Sequence, residues 1–146
     1  MGKEIEHKYL VISETYKTLA VKTTHIIQGY LSKDPERVVR VRIIDKSGFV
    51  TIKGKTEEDT RLEFEYKIPY NDALEMLKLC LGHPIEKRRW IVMNKGNRWE
   101  VDEFISPAFP TVAEIELANS NHDYPLPGFI GKEVTGDPKF YNSNIG

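Results

Sequence analysis

The sequence has one cysteine, Cys80, in 146 residues. No disulfide can form within the chain, and nothing in it asks for an oxidising compartment. Long apolar runs are missing too: no stretch of about 18 apolar residues occurs, which removes a membrane-spanning helix. The first residues carry charge where a secretory leader would carry an apolar core. Together these absences predict a cytoplasmic chain with no membrane partner. There is no excess of base either. The 21 Lys+Arg face 22 Asp+Glu for a net charge of -1, which argues against nucleic acid as a partner. The histidines (His7, His25, His83, His122) lack metal-site spacing, and Cys80 falls in an apolar helical run as a packing residue rather than a nucleophile. Repeats, low-complexity tracts and linkers are absent, so residues 1–146 read as one domain.

What is present is a globular balance, 40% apolar and 29% charged, with a period of two along most of the chain. Strands are expected over 3–11, 23–32, 37–45, 48–55, 60–69, 86–94, 97–104 and 111–118. Asp45-Lys46-Ser47-Gly48 and Asn94-Lys95-Gly96-Asn97 read as hairpin loops. One helix is expected over 71–81, started by Asn71 or Asp72 and stopped by Gly82, with a shorter one within 13–21. The tail from Asp123 is rich in Pro and Gly, with a turn of helix at its end. The count gives a mainly β (α+β) fold: eight antiparallel strands with a few flanking helices. Eight strands suffice for a closed barrel, and a two-sheet sandwich is the alternative.

The alternation sorts charge. Glu4, Glu6 and Lys8 share a face, opposite Ile5, His7 and Tyr9. Arg40 and Arg42 share one, as do Lys53 and Lys55, Arg61 with Glu63 and Glu65, Lys87 with Arg89, Glu100 with Asp102, and Glu114 with Glu116. Any one strand with a wet face alternates in this way. Seven like-charged i,i+2 pairs are harder to dismiss. Such neighbours start about 6.6 Å apart and repel by roughly 0.6 kcal/mol in water, or about 2.5 kcal/mol at an effective dielectric near 20. A solvated face has no reason to repeat that cost. An enclosed site for a phosphate chain with a divalent cation does: carboxylate pairs hold a hard cation and Arg or Lys pairs grip phosphate oxygens. The charged face would then point into the barrel, with the apolar face outward beneath the long helix.

The opening EIEHKYLV resembles the signature of the CYTH family, the triphosphate tunnel metalloenzymes. The likeness runs in order through IIQGYL, RVVRVR, VTIKGK, RLEFEYKI, IEKRRW, WEVDEF and VAEIEL to GKEVTGDPKFYN, nearly the whole chain. The resemblance implies an eight-stranded antiparallel tunnel with a polar interior, acting on triphosphates with Mg²⁺ or Mn²⁺. It places Glu4, Glu6, Glu114 and Glu116 among the metal ligands, with Glu63, Glu65 and Asp102 as further acidic positions. Lys8, Arg40, Arg42, Lys53, Lys87 and Arg89 match the phosphate-binding bases. Tyr30 matches a tyrosine that works with the signature lysine, Lys8, on the attacking water. Arg61, Lys55, Glu100 and Lys132 are further tunnel candidates, and Glu133 is a candidate tie for the closing segment. One departure is visible: the sequence stops soon after Tyr141, which shortens any closing helix and makes a cup an alternative to a full tunnel.

The substrate expected is a small-molecule triphosphate. No Gly-rich phosphate loop or nucleoside-reading motif is present, which favours inorganic tripolyphosphate. Thiamine or nucleoside triphosphate hydrolysis and a class IV-type adenylate cyclase remain alternatives. So does a binding module that holds polyphosphate or a nucleotide without turnover. Whether the chain works alone or as a homodimer is left open.

Overall fold

A computed structural model describes residues 2–145. In chain order the strands are β1 (Lys3–Val11), β2 (Lys22–Ser32), β3 (Arg37–Ile44), β4 (Ser47–Gly54), β5 (Thr60–Ile68), β6 (Leu81–Asn94), β7 (Asn97–Ser106), β8 (Val112–Glu116) and β9 (Ile130–Glu133). The helices are α1 (Tyr16–Leu19) and α2 (Tyr70–Leu77), and 3-10 turns over Pro138–Phe140 and Asn142–Asn144 follow β9. None of the described helices is long and apolar enough to cross a membrane.

The strands hydrogen-bond in the order β5-β4-β3-β2-β6-β7-β8-β1-β9, and β1 also pairs with β5. That last pairing closes eight strands into an antiparallel barrel. Glu4 lies opposite Arg61 on β5, and Lys8 lies opposite Glu114 on β8. Along its length β1 changes neighbour, from β5 beside Lys3–Ile5 to β9 beside Tyr9 and Val11. The hairpin between β6 and β7 turns on Lys95 and Gly96, with φ of 52° and 80°; two left-handed residues in succession match the twist of the flanking strands.

Three local expectations are corrected. The helix expected over 71–81 stops at Leu77, because Leu81 already pairs with Tyr30 as the start of β6. Gly82 therefore does not stop the helix. Its φ of 64° serves a bulge in β6, where Leu81 to Ile85 run beside Tyr30 to Gln28, and Pro84 sits in the same bulge, where a missing N–H is tolerated. Cys80 lies in the turn after α2, half-buried, with its Sγ 3.4 Å from the Met76 carbonyl. The ninth strand is an addition within a tail that reads as loop. Ile130 is buried and Phe129 beside it fully so, and that burial offsets weak strand propensity.

Apolar side chains face outward and are covered from outside. Tyr9, Val92, Trp99, Ala113 and Ile115 form one layer, closed by Tyr16 of α1 and by Tyr124 and Phe129 from the segment before β9. Each large side chain fully buried here contributes roughly 1.5–3 kcal/mol. α2 covers Val41 and Ile43 of β3 with Ala73. A Cβ on Gly48 would lie 2.7 Å from Ala73 Cβ, and one on Gly29 2.8 Å from Cys80 Sγ. Glycine at both positions lets α2 and its following turn rest on bare backbone. Beyond the reach of α2, the outer faces of β4 and β5 leave Ile52, Leu62, Phe64 and Tyr66 exposed. With the apolar faces turned outward, the charged faces are left with the inside.

Candidate active site

The barrel encloses a cavity of about 220 Å³. A single water needs about 10–15 Å³ of such space, so the ten oxygens of a tripolyphosphate fit with room for a cation. One end is stopped. Tyr30, Val38 and Ile85 pack there against Phe104 and Ile145, and Phe104, Phe109 and Phe140 stack edge to face. The polar side of this stopper faces the cavity: Lys8 Nζ donates to the Phe140 carbonyl at 2.8 Å and Lys87 Nζ to Asn142 Oδ1 at 3.3 Å.

Strand order divides the wall by charge. β5, β1 and β8 are consecutive around the barrel and bring Glu63, Glu4, Glu6, Glu114 and Glu116 to the cavity. β4, β3, β2 and β6 form the opposite side and bring Lys53, Arg40, Arg42, Lys87 and Arg89, while β2 contributes Tyr30, and β7 between β6 and β8 contributes Glu100. Lys8 and Arg61 are bases set among the acids, and Glu65 and Glu100 are acids set beside the bases.

The bases are tethered by counter-ions. Glu65 Oε2 accepts from Arg42 at 3.1 Å, from Arg40 at 3.4 Å and from the Thr51 hydroxyl at 2.7 Å. The Nε–H groups of Arg40 and Arg42 are buried and have no partner among the described residues, an open demand for anionic acceptors. Burial, with Arg40 and Arg89 as like-charged neighbours, brings Arg42 down to about 10. Lys53 bridges Glu4 at 3.1 Å and Glu63 at 3.2 Å. Lys8 meets Glu114 at 3.2 Å. Burial works against the Lys8 charge, but Glu114 and Glu6 outweigh it and raise its pKa, so the ammonium is a donor and not a base.

The acid wall is short of positive charge. Burial, then Glu114 and Glu4, push Glu6 well above the ordinary carboxylate range. Burial and a hydrogen bond with Glu4 bring Glu63 to about 7, and burial with Glu4 and Glu100 raises Glu116. Glu114 goes the other way: burial opposes its charge, but Lys8 and Arg89 overcome that and hold it ionised. Among the described residues no three acids, imidazoles or thiols meet at ligand spacing. Still, the donors are hard oxygens crowded enough to retain protons, which is the condition a divalent cation relieves. The residues fit such an ion.

A model of the CYTH domain matches residues 2–141. The chain belongs to the CYTH domain family. An inorganic triphosphatase of Acetivibrio thermocellus is 46% identical over 147 aligned positions, covering 99% of this chain and 94% of the relative. The crystal structure of the inorganic triphosphatase NE1496 is similar at 25% identity and a TM-score of 0.65, covering 97% of this chain and 96% of that one. A Hippeastrum protein, HpAC1, named for adenylyl cyclase and for a dominant triphosphatase activity, shares the fold at 16% identity and a TM-score of 0.62, over 80% of each chain.

Within this CYTH barrel most of the expected positions come together. Arg61 and Glu100 also line the cavity, whereas Lys55 and Lys132 are exposed and lie outside its wall. Glu133 accepts from the Thr135 hydroxyl at 2.6 Å, next to the stretch that crosses Lys8. Asp102 departs from its expected place. It is fully buried and does not reach the cavity wall. Tyr30 lines the cavity, but its hydroxyl accepts from Gln28 Nε2 at 3.0 Å, while the contacts of the Lys8 ammonium are Glu114 and Phe140. Thr51, Gln28 and Asn142 gained no role from sequence. Thr51 and Gln28 sit on the inward face, where alternation places them. Asn142 lies in a 3-10 turn that no periodicity marks.

Proposed function

We propose that this chain is a divalent-cation-dependent inorganic triphosphatase that hydrolyses tripolyphosphate to pyrophosphate and orthophosphate inside the barrel. The observation that carries this is the division of one enclosed cavity into an acid wall and a base wall. Glu4, Glu6, Glu114 and Glu116 would hold Mg²⁺ or Mn²⁺, with Glu63 and Glu65 nearby. Bound there, such an ion would supply Lewis-acid withdrawal of charge from the phosphate oxygens. Arg40, Arg42, Lys53, Lys87 and Arg89 take those oxygens and neutralise charge on the phosphoryl group in flight, so positioning and electrostatics supply most of the catalysis.

Water attacks the terminal phosphorus, the bond to the bridging oxygen breaks, and pyrophosphate leaves. Lys8, held protonated, orients the water or an oxygen of the phosphoryl group under attack, and Tyr30 lines the same cavity. The proton passes to a cavity carboxylate, for which Glu63, near 7, is the best matched. Inorganic substrate is favoured because the aromatic side chains on the cavity wall are Tyr30 and Tyr141. Trp99 is buried in the outer layer and Trp90 is bound to Glu103 at 2.5 Å. The lone cysteine supports a cytoplasmic site of action for this single domain.

The test is a panel of tripolyphosphate, pyrophosphate, ATP, GTP and thiamine triphosphate with Mg²⁺ or Mn²⁺, scored for phosphate, pyrophosphate and cyclic nucleotide. Phosphate release from tripolyphosphate that EDTA abolishes is expected. Binding without turnover, or cyclic nucleotide as the main product, refutes the proposal.

A further inference from the structure

We propose that Asp102 is a positioning residue that fixes the charge and the aim of Lys87 and Arg89 for the phosphate chain, and that it holds no metal ion. This rests on the triphosphatase reading of the cavity. Every other expected acid lines that cavity; Asp102 does not. It is fully buried, and both oxygens are taken. Oδ1 accepts from Arg89 Nε at 2.8 Å, and Oδ2 from Arg89 Nη2 at 3.0 Å and Lys87 Nζ at 2.8 Å. A cation entering the cavity would have to displace two bases to reach it. Glu65, Glu114 and Glu4 differ in kind: they stand at the wall, where phosphate can replace them on the bases and a cation can claim them. Asp102 is the counter-ion that stays.

The geometry says what it does there. The bidentate contact fixes the guanidinium plane of Arg89 and turns Nη1 toward Glu100, 3.4 Å away on the cavity wall. Lys87 has three donors. Asp102 takes one and Asn142 another, leaving the third for a substrate oxygen. The groups facing Lys87 are Asp102 of β7, Arg89 of its own strand, Glu114 of β8, Asn142 of the stopper and the Phe104 ring 5.8 Å away; its register neighbour on β2 is Ile26. Burial drags Lys87 down to about 8, with Asp102 as the largest opposing influence. Without that charge a buried ammonium between Arg89 and a phenyl ring gives up its proton at neutral pH.

The test is Asp102→Asn, which keeps the shape and removes the charge. Tripolyphosphate binding is measured by calorimetry in EDTA from pH 6 to 9, alongside Mn²⁺ binding by electron paramagnetic resonance. Wild-type affinity is expected to fall as pH climbs through about 8. In Asp102→Asn that fall moves at least about one unit lower. In the double variant with Lys87→Arg it disappears, because arginine does not titrate in this range. Mn²⁺ stoichiometry is unchanged. An alkaline fall at the wild-type pH in Asp102→Asn, or a lost Mn²⁺ site, overturns the proposal. Should Asp102→Asn not fold, Lys87→Arg alone decides: a fall that persists near pH 8 overturns it. A wild type that binds tripolyphosphate but never cleaves it sinks the triphosphatase reading and leaves the Asp102 result to stand separately.

Discussion

Glu63→Gln should make the cation-free protein more stable at neutral pH. Glu63 is raised from 4.5 to about 7 by burial and by sharing a hydrogen bond with Glu4. At about 1.36 kcal/mol per unit, ionising it in the folded state costs about 3 kcal/mol. Its side chain is 25% exposed, so solvent screening makes that an upper figure. Between pH 4.5 and about 7 the folded protein binds this proton more tightly than the unfolded chain does. The stabilisation is therefore complete below 4.5 and is lost as pH rises through about 7. Glutamine keeps a hydrogen bond to Glu4 and has no charge to lose. For a chain of this size, about 3 kcal/mol corresponds to roughly 10 °C in Tm. Melting followed by circular dichroism in EDTA from pH 5 to 8.5 should show the wild type falling behind Glu63→Gln by about that much. Saturating Mg²⁺ should close the gap, because the cation takes over the proton's task. Parallel Tm curves for the two proteins across this range would refute the reasoning.

Lys8→Ala and Glu6→Ala should each lower kcat about 10²–10³-fold, the usual loss when one preorganised charge contact is removed; phosphate release in single-turnover mode checks this, and an unchanged kcat rejects the roles given to both. Phe129→Ala should destabilise the protein by about 3–5 kcal/mol through the cavity it leaves in the outer layer. Its KM for tripolyphosphate should stay put, because Phe129 lies on the far side of the wall, and denaturant melts alongside steady-state kinetics separate the two effects.

How far the sequence spoke depends on how local each feature is. The inward charges of β1, β3, β4, β5 and β8 were legible because a two-residue period assigns a face without knowledge of neighbours. Closure was legible only through the likeness to the CYTH signature, since β1 meets β5 across more than fifty residues and no local pattern marks that contact. Asp102 shows the limit from the other side. Alternation put it on the inward face with Glu100, correctly, but depth within a face is not periodic. Arg89 and Lys87 lie over it, so a position that matched a ligand became a support. Helix α2 ran short for a similar reason: pairing of Leu81 with Tyr30 is a tertiary gain that outweighs the helical propensity of Leu79 and Leu81. Phe140 and Asn142 escaped because short 3-10 turns carry no alternating pattern, and they meet Lys8 and Lys87 through one carbonyl and one amide.

The most direct measurement is a crystal structure with Mn²⁺ and a non-hydrolysable imido analogue of tripolyphosphate. The expected result is an anomalous Mn²⁺ peak against Glu4, Glu6, Glu114 or Glu116, with phosphate oxygens on Arg40, Arg42, Lys87 and Arg89 inside the barrel. Analogue bound on the outer surface, or Mn²⁺ at a distance from these carboxylates, would contradict it.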